Sequence, residues 1–191
     1  MSKNILLGAL AIGLLAFVGG FTGSALFVDQ ETIGANVFDT QDIDISTAPT
    51  TALVTMSGMI PGDSVTGDVL VSNDGDLDLR YSINSSATNA DTLGLKDALT
   101  LTINTIDVTT PGTPCDDFDG TQLYSGDLDS TAGVLVGDPA QGPQGGDRPL
   151  APTASETLCF RVELSGSASG PDGASTSATF TFDAEQTINN P

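Results

Sequence analysis

Residues 65–84 read Val65-Thr66-Gly67-Asp68-Val69-Leu70-Val71-Ser72-Asn73-Asp74-Gly75-Asp76-Leu77-Asp78-Leu79-Arg80-Tyr81-Ser82-Ile83-Asn84. In the second half Leu79, Tyr81 and Ile83 alternate with Arg80, Ser82 and Asn84. A period of two sends the apolar row to one face and the polar row to the other, as a half-buried antiparallel strand requires. Residues 65–71 make a second strand candidate. The cluster Asn73-Asp74-Gly75-Asp76 between them holds the residue types that tolerate positive φ, and it predicts a hairpin.

The same period recurs outward from this stretch. Leu99, Leu101 and Ile103 alternate with Thr100, Thr102 and Asn104, and Phe160, Val162 and Leu164 with Arg161 and Glu163. Phe180, Phe182 and Ala184 alternate with Thr179, Thr181 and Asp183. Residues 37–45 and 52–56 are further strand candidates. Pro61-Gly62-Asp63, Pro111-Gly112-Thr113-Pro114 and Pro171-Asp172-Gly173 punctuate the runs as turns. A single short helical turn is expected within residues 91–98. The fold class is all-β, an antiparallel β-sandwich.

Residues 126–152 break the pattern, with Gly, Pro, Asp and Gln around one apolar patch, Val134-Leu135-Val136. They read as a surface excursion with at most a short edge strand. Long loops in compact domains are commonly functional or mobile. Cys115 and Cys159, the chain's two cysteines, bracket it. In an exported chain they read as one disulfide pinning the base of the excursion. Closing a loop of that length is worth about 4 kcal/mol in the chain-entropy model.

Export is read from the N-terminus. Lys3 precedes an uncharged run over residues 5–25 that ends in Gly23-Ser24-Ala25. A basic start, an apolar stretch and a small-residue exit describe a signal peptide over residues 1–25. Cleavage after Ala25 leaves Leu26 as the first mature residue and a single domain over 26–191. An uncleaved signal anchor is the alternative, since the run is nearly long enough to span a bilayer. The glycines within the run and its small-residue end favour cleavage, and no cysteine lies near for lipid attachment.

The chain carries 25 acidic side chains against 5 basic ones, a formal net charge of −20. Nucleic acids and anionic membrane surfaces require a cationic footprint and are excluded as partners. The scattered acids favour solubility and suit high salt, where self-repulsion is screened. With no histidine in the chain, the Ser-His-Asp and His-Glu-x-x-His arrangements are ruled out. No phosphate-cradling Gly-x-x-x-x-Gly-Lys motif occurs. No catalytic residue and no cofactor are expected. The calcium candidates are Asp116, Asp117 and Asp119 in Asp116-Asp117-Phe118-Asp119-Gly120, half of an Asp-x-Asp-x-Asp-Gly loop without its closing Glu. Asn84-Ser85-Ser86 is a glycosylation sequon with Asn84 as acceptor.

Phe27-Val28-Asp29, Asn36-Val37-Phe38 and Asp42-Ile43-Asp44-Ile45 follow the signal run in that order. Pro61-Gly62-Asp63, Asn73-Asp74-Gly75 and the closing run from Thr179 to Gln186 come after them. In these elements the chain resembles the TasA/camelysin family of exported proteins, which form biofilm-matrix fibres and bundling pili. Residues 88–155 lie outside the resemblance. It implies a jelly-roll-like sandwich, cleavage by a dedicated signal peptidase, and a head-to-tail homopolymer built by N-terminal strand donation. Leu26, Phe27, Val28, Val37 and Phe38 are then the apolar residues of the donor strand. Some family members carry a metallopeptidase label, and a chain without histidine does not match zinc-peptidase chemistry.

The expected function is a secreted structural subunit of a biofilm-matrix or cell-surface fibre, with itself and the signal peptidase as partners and no mature membrane anchor. The alternatives are a monomeric secreted binding module that uses calcium or the 126–152 excursion and, more remotely, a secreted peptidase. An unpaired sheet edge can accept a strand from a neighbour. Because donor and acceptor differ, such contacts are head-to-tail and propagate as a filament. If 26–38 folds back as the chain's own first strand, the product is a monomer.

Overall fold

A computed structural model describes residues 41–55, 57–106, 115–130, 133–168, 173–188 and 190. The signal run with Gly23 and Ala25, the mature start at Leu26, and the donor residues Phe27, Val28, Val37 and Phe38 lie outside the described residues. Thr40–Pro191 forms one compact unit.

The strands are β1 (Ile45–Ala48), β2 (Ser64–Asn73), β3 (Leu79–Ala87), β4 (Leu99–Thr105), β5 (Gln122–Asp127), β6 (Arg148–Leu150), β7 (Ser155–Leu164) and β8 (Ala178–Gln186). One short helix, α1 (Leu95–Ala98), leads into β4. The larger sheet runs β1-β2-β7-β4-β5 and the smaller β6-β3-β8. Every pairing is antiparallel. This is the all-β sandwich that the alternation requires.

The pairings β2 with β7, β3 with β6 and β4 with β5 are nested, as in a long hairpin rolled into a jelly roll. The fourth rung of that roll would join the first strand to the last. Here β1 pairs with β2 instead.

The core lies between the sheets. Val69, Val71, Leu101, Ile103, Leu158, Phe160 and Val162 come from the larger sheet and Leu79, Tyr81 and Ile83 from the smaller. These are the apolar rows of the alternating runs, so burial follows the period of two. The 126–152 stretch joins them through Leu128, Leu135, Val136 and Leu150, all buried. The Ile83 N–H donates to the Val136 carbonyl at 2.8 Å, and the Leu135 N–H donates to the Ile83 carbonyl at 2.9 Å. The stretch begins within β5 and ends just past β6.

Three expectations change. The Asn73–Asp76 cluster is not a hairpin, because β2 and β3 belong to different sheets. It is a corner: buried Asn73 accepts from the Gly75 N–H and donates to the Leu77 and Leu150 carbonyls. A Cβ on Gly75 would stand 2.6 Å from the Asp42 carbonyl, so the close approach of residues 42–44 needs glycine. Of the strand expected over 37–45, residues 37–40 lie outside the described residues and 41–44 are not strand; β1 starts at Ile45, and the Asp42 and Asp44 carbonyls accept from the corner amides of Asp76 and Asp74. Residues 52–55 form no strand; Leu53 and Val54 pack against the core from the β1–β2 connection.

Candidate functional site

The last strand, β8, pairs with β3 over its whole length, Ala178 opposite Ala87 through Gln186 opposite Leu79. Among the described residues nothing pairs with its other edge. The hydrogen bonds say which groups face that edge. The Thr88 N–H donates to Ser177 O, and the Thr187 N–H donates to Asp78 O, so odd-numbered residues turn their backbone groups toward β3. Ile83, opposite Phe182, turns its own N–H and C=O away from β8 to Val136 and Leu135. The N–H and C=O groups of Ala178, Phe180, Phe182 and Ala184 therefore point off the open edge.

The same four residues turn their side chains inward. Phe180 meets Phe160 of β7 edge-on, with ring centroids 5.1 Å apart, and Phe182 lies 6.1 Å from Tyr81. Yet Phe180 and Phe182 are only half-buried, whereas Phe160 and Tyr81 are buried. The larger sheet has five strands to the smaller sheet's three, so it extends past β8 without a facing strand among the described residues.

Both ends of β8 are clamped by carboxylates on its paired side. Glu185 bonds the Arg80 guanidinium at 2.5 Å, the Asn190 amide at 2.8 Å and the Gly142 N–H at 3.1 Å. The Arg80 hydrogen bond, ahead of the smaller contributions from Asn190 and Gly142, holds the Glu185 carboxyl below its ordinary value. At the other end Asp91 accepts from the Leu93 N–H at 3.0 Å and the Ser175 N–H at 2.6 Å, and those backbone bonds lower its pKa. Behind β8, burial and then Glu156 push the Tyr81 phenol far upward, and its O–H donates to Glu156 at 2.6 Å.

Cys115 and Cys159 are joined in a disulfide, Cα atoms 5.4 Å apart. It ties the chain ahead of β5 to the middle of β7, beside Asn104 of β4. Asp116, Asp117 and Asp119 follow Cys115 in this tied segment. Among the described residues no three His, Cys, Asp or Glu side chains come together in a metal-holding group. The Asn84 amide donates to Asp183 at 2.8 Å on the smaller sheet. The open edge of β8 is not legible in the sequence, because the alternation in β8 matches that of strands paired on both sides.

The N-terminal half of the chain carries the recognisable pattern. A family model described as camelysin metallo-endopeptidase matches residues 1–110. The chain belongs to that family. A comparison with curated proteins returned no match. The camelysin match takes in β1 to β4 and the corner at Asn73, and it stops short of β8.

The family description implies a catalytic metal, and the donor set of this chain does not fit one. It has no histidine, and both of its cysteine sulfurs are committed to the disulfide. Zinc peptidases hold their metal with histidines and a carboxylate. Among the described residues no helix is long and apolar enough to cross a membrane.

Proposed function

We propose that this camelysin-family chain is a secreted structural subunit of an extracellular fibre, in a biofilm matrix or on a cell surface. Residues 26–38, freed by cleavage after Ala25, add as a strand to the β8 edge of the next subunit. The observation that supports this reading is that, among the described residues, the fourth rung of the roll is not made and the outer backbone groups of β8 find no partner strand above half-buried Phe180 and Phe182. An added strand would satisfy both the hydrogen-bonding groups and the apolar floor. The contact is heterologous, so it propagates. The peptidase chemistry in the family's description is not assigned to this chain, for want of ligands.

Electron microscopy of two chains tests this, one starting at Leu26 and one starting after Phe38. Filaments are expected from the first alone. Filaments from both, or from neither, would remove strand donation as the mechanism. Metal-dependent cleavage of casein, abolished by chelation, would restore the peptidase reading.

A further inference from the structure

We propose that Leu53 and Val54 are a built-in plug that occupies the acceptor groove beside β8 until an incoming strand displaces them. This rests on the strand-donation reading above and adds a gate to the same site.

The position of the plug follows from register. Gly67 of β2 stands opposite Phe160 of β7, and Phe160 meets Phe180 of β8 across the sandwich. On the paired side of Phe180 lies Ser85 of β3, whose hydroxyl donates to the Leu128 carbonyl just past β5. Moving from β8 to β3 therefore leads toward the β5 side of the larger sheet. Stepping off the open edge of β8 leads the other way, over β2 at Gly67.

That place is filled. A Cβ on Gly67 would stand 2.7 Å from the Leu53 carbonyl oxygen and 2.9 Å from Val54 Cγ1. The missing side chain is thus the seat of this segment. Leu53 and Val54 are partly buried against the core, yet among the described residues no backbone hydrogen bond ties 51–55 to any strand. They cover apolar surface and leave the backbone groups of β8 unpaired. A donor strand can do both, and that difference in interactions lets it displace the plug.

The test uses the unit Thr40–Pro191, which contains every residue of the hydrophobic core cluster. The probe is a fluorescent synthetic peptide of residues 26–38. Groove opening limits association in the wild-type unit, so Leu53→Ser with Val54→Ser is expected to speed binding about tenfold, as for a closed state that leaves about a tenth of the molecules competent. Equal rates in the two proteins would overturn the plug and leave strand donation standing. If the peptide binds neither, strand donation fails. The plug is then judged by anilinonaphthalene sulfonate fluorescence, which must be higher in the variant; equal fluorescence overturns it. Should the double variant not fold, Gly67→Ala serves with the same readouts, since its methyl group meets the Leu53 carbonyl and expels the segment.

Discussion

β7 and β8 carry nearly the same words. Phe160-Arg161-Val162-Glu163-Leu164 and Phe180-Thr181-Phe182-Asp183-Ala184 both alternate apolar with polar, and Phe160 and Phe180 touch. Phe160 is 0% exposed, whereas Phe180 is half-buried. The difference lies in neighbours. β7 sits between β2 and β4, while β8, among the described residues, has β3 on one side only. Alternation decides which face a residue turns to, and the strands on either side decide how far that face is covered.

The contrast breaks or holds first in stability. Phe160→Ala should cost about 3–5 kcal/mol by denaturant unfolding, as for a filled core site. Phe180→Ala should cost about 1–2 kcal/mol, since less of its area leaves water on folding. Equal losses would mean that the edge of β8 is as covered as the centre.

Proline separates the two sides of β8 itself. The N–H of Asp183 points toward β3, so Asp183→Pro should lose at least about 1 kcal/mol with its ladder bond. The Ala184 N–H points off the open edge, and edge strands tolerate proline there. Ala184→Pro should keep the melting temperature close to wild type and still prevent filaments from the chain starting at Leu26. Filaments from this variant would show that another edge accepts the strand.

The smallest effect is in acid. Asp91 and Glu185 have lowered folded pKa values, so their hold on β8 is complete above the unfolded values near 4 and is lost as pH falls through the folded ones. Hydrogen exchange at β8 amides should quicken below about pH 4, relative to β7 amides after correction for intrinsic rates. No change in that ratio would mean that the ladder to β3, not the clamps, fixes β8.

Five strands, β2, β3, β4, β7 and β8, are legible as strand runs in the sequence, and the disulfide is legible from the two cysteines of a chain read as exported. β5 and β6 were not. β5 is an edge strand of half-buried and exposed residues, and β6 is a tripeptide, Arg148-Pro149-Leu150, held by its neighbour β3. Neither leaves an alternation long enough to read. The turn chemistry at Asn73-Asp74-Gly75 was recognised, but its corner geometry depends on β7 occupying the lane beside β2. Leu53 and Val54 are apolar enough to predict a strand that does not form, because composition cannot say whether such a pair joins a ladder or fills a gap over a glycine.

The sequence by itself determined the class of the fold, the inward face of its main strands and the lack of histidine ligands, because these depend on residue type and local spacing. Only the tertiary structure decided which strand lacks a second neighbour among the described residues and what lies over Gly67. Backbone hydrogen bonding is blind to side-chain pattern: an N–H facing open space and one facing a partner are encoded by the same residues, and only assembly of distant strands tells them apart.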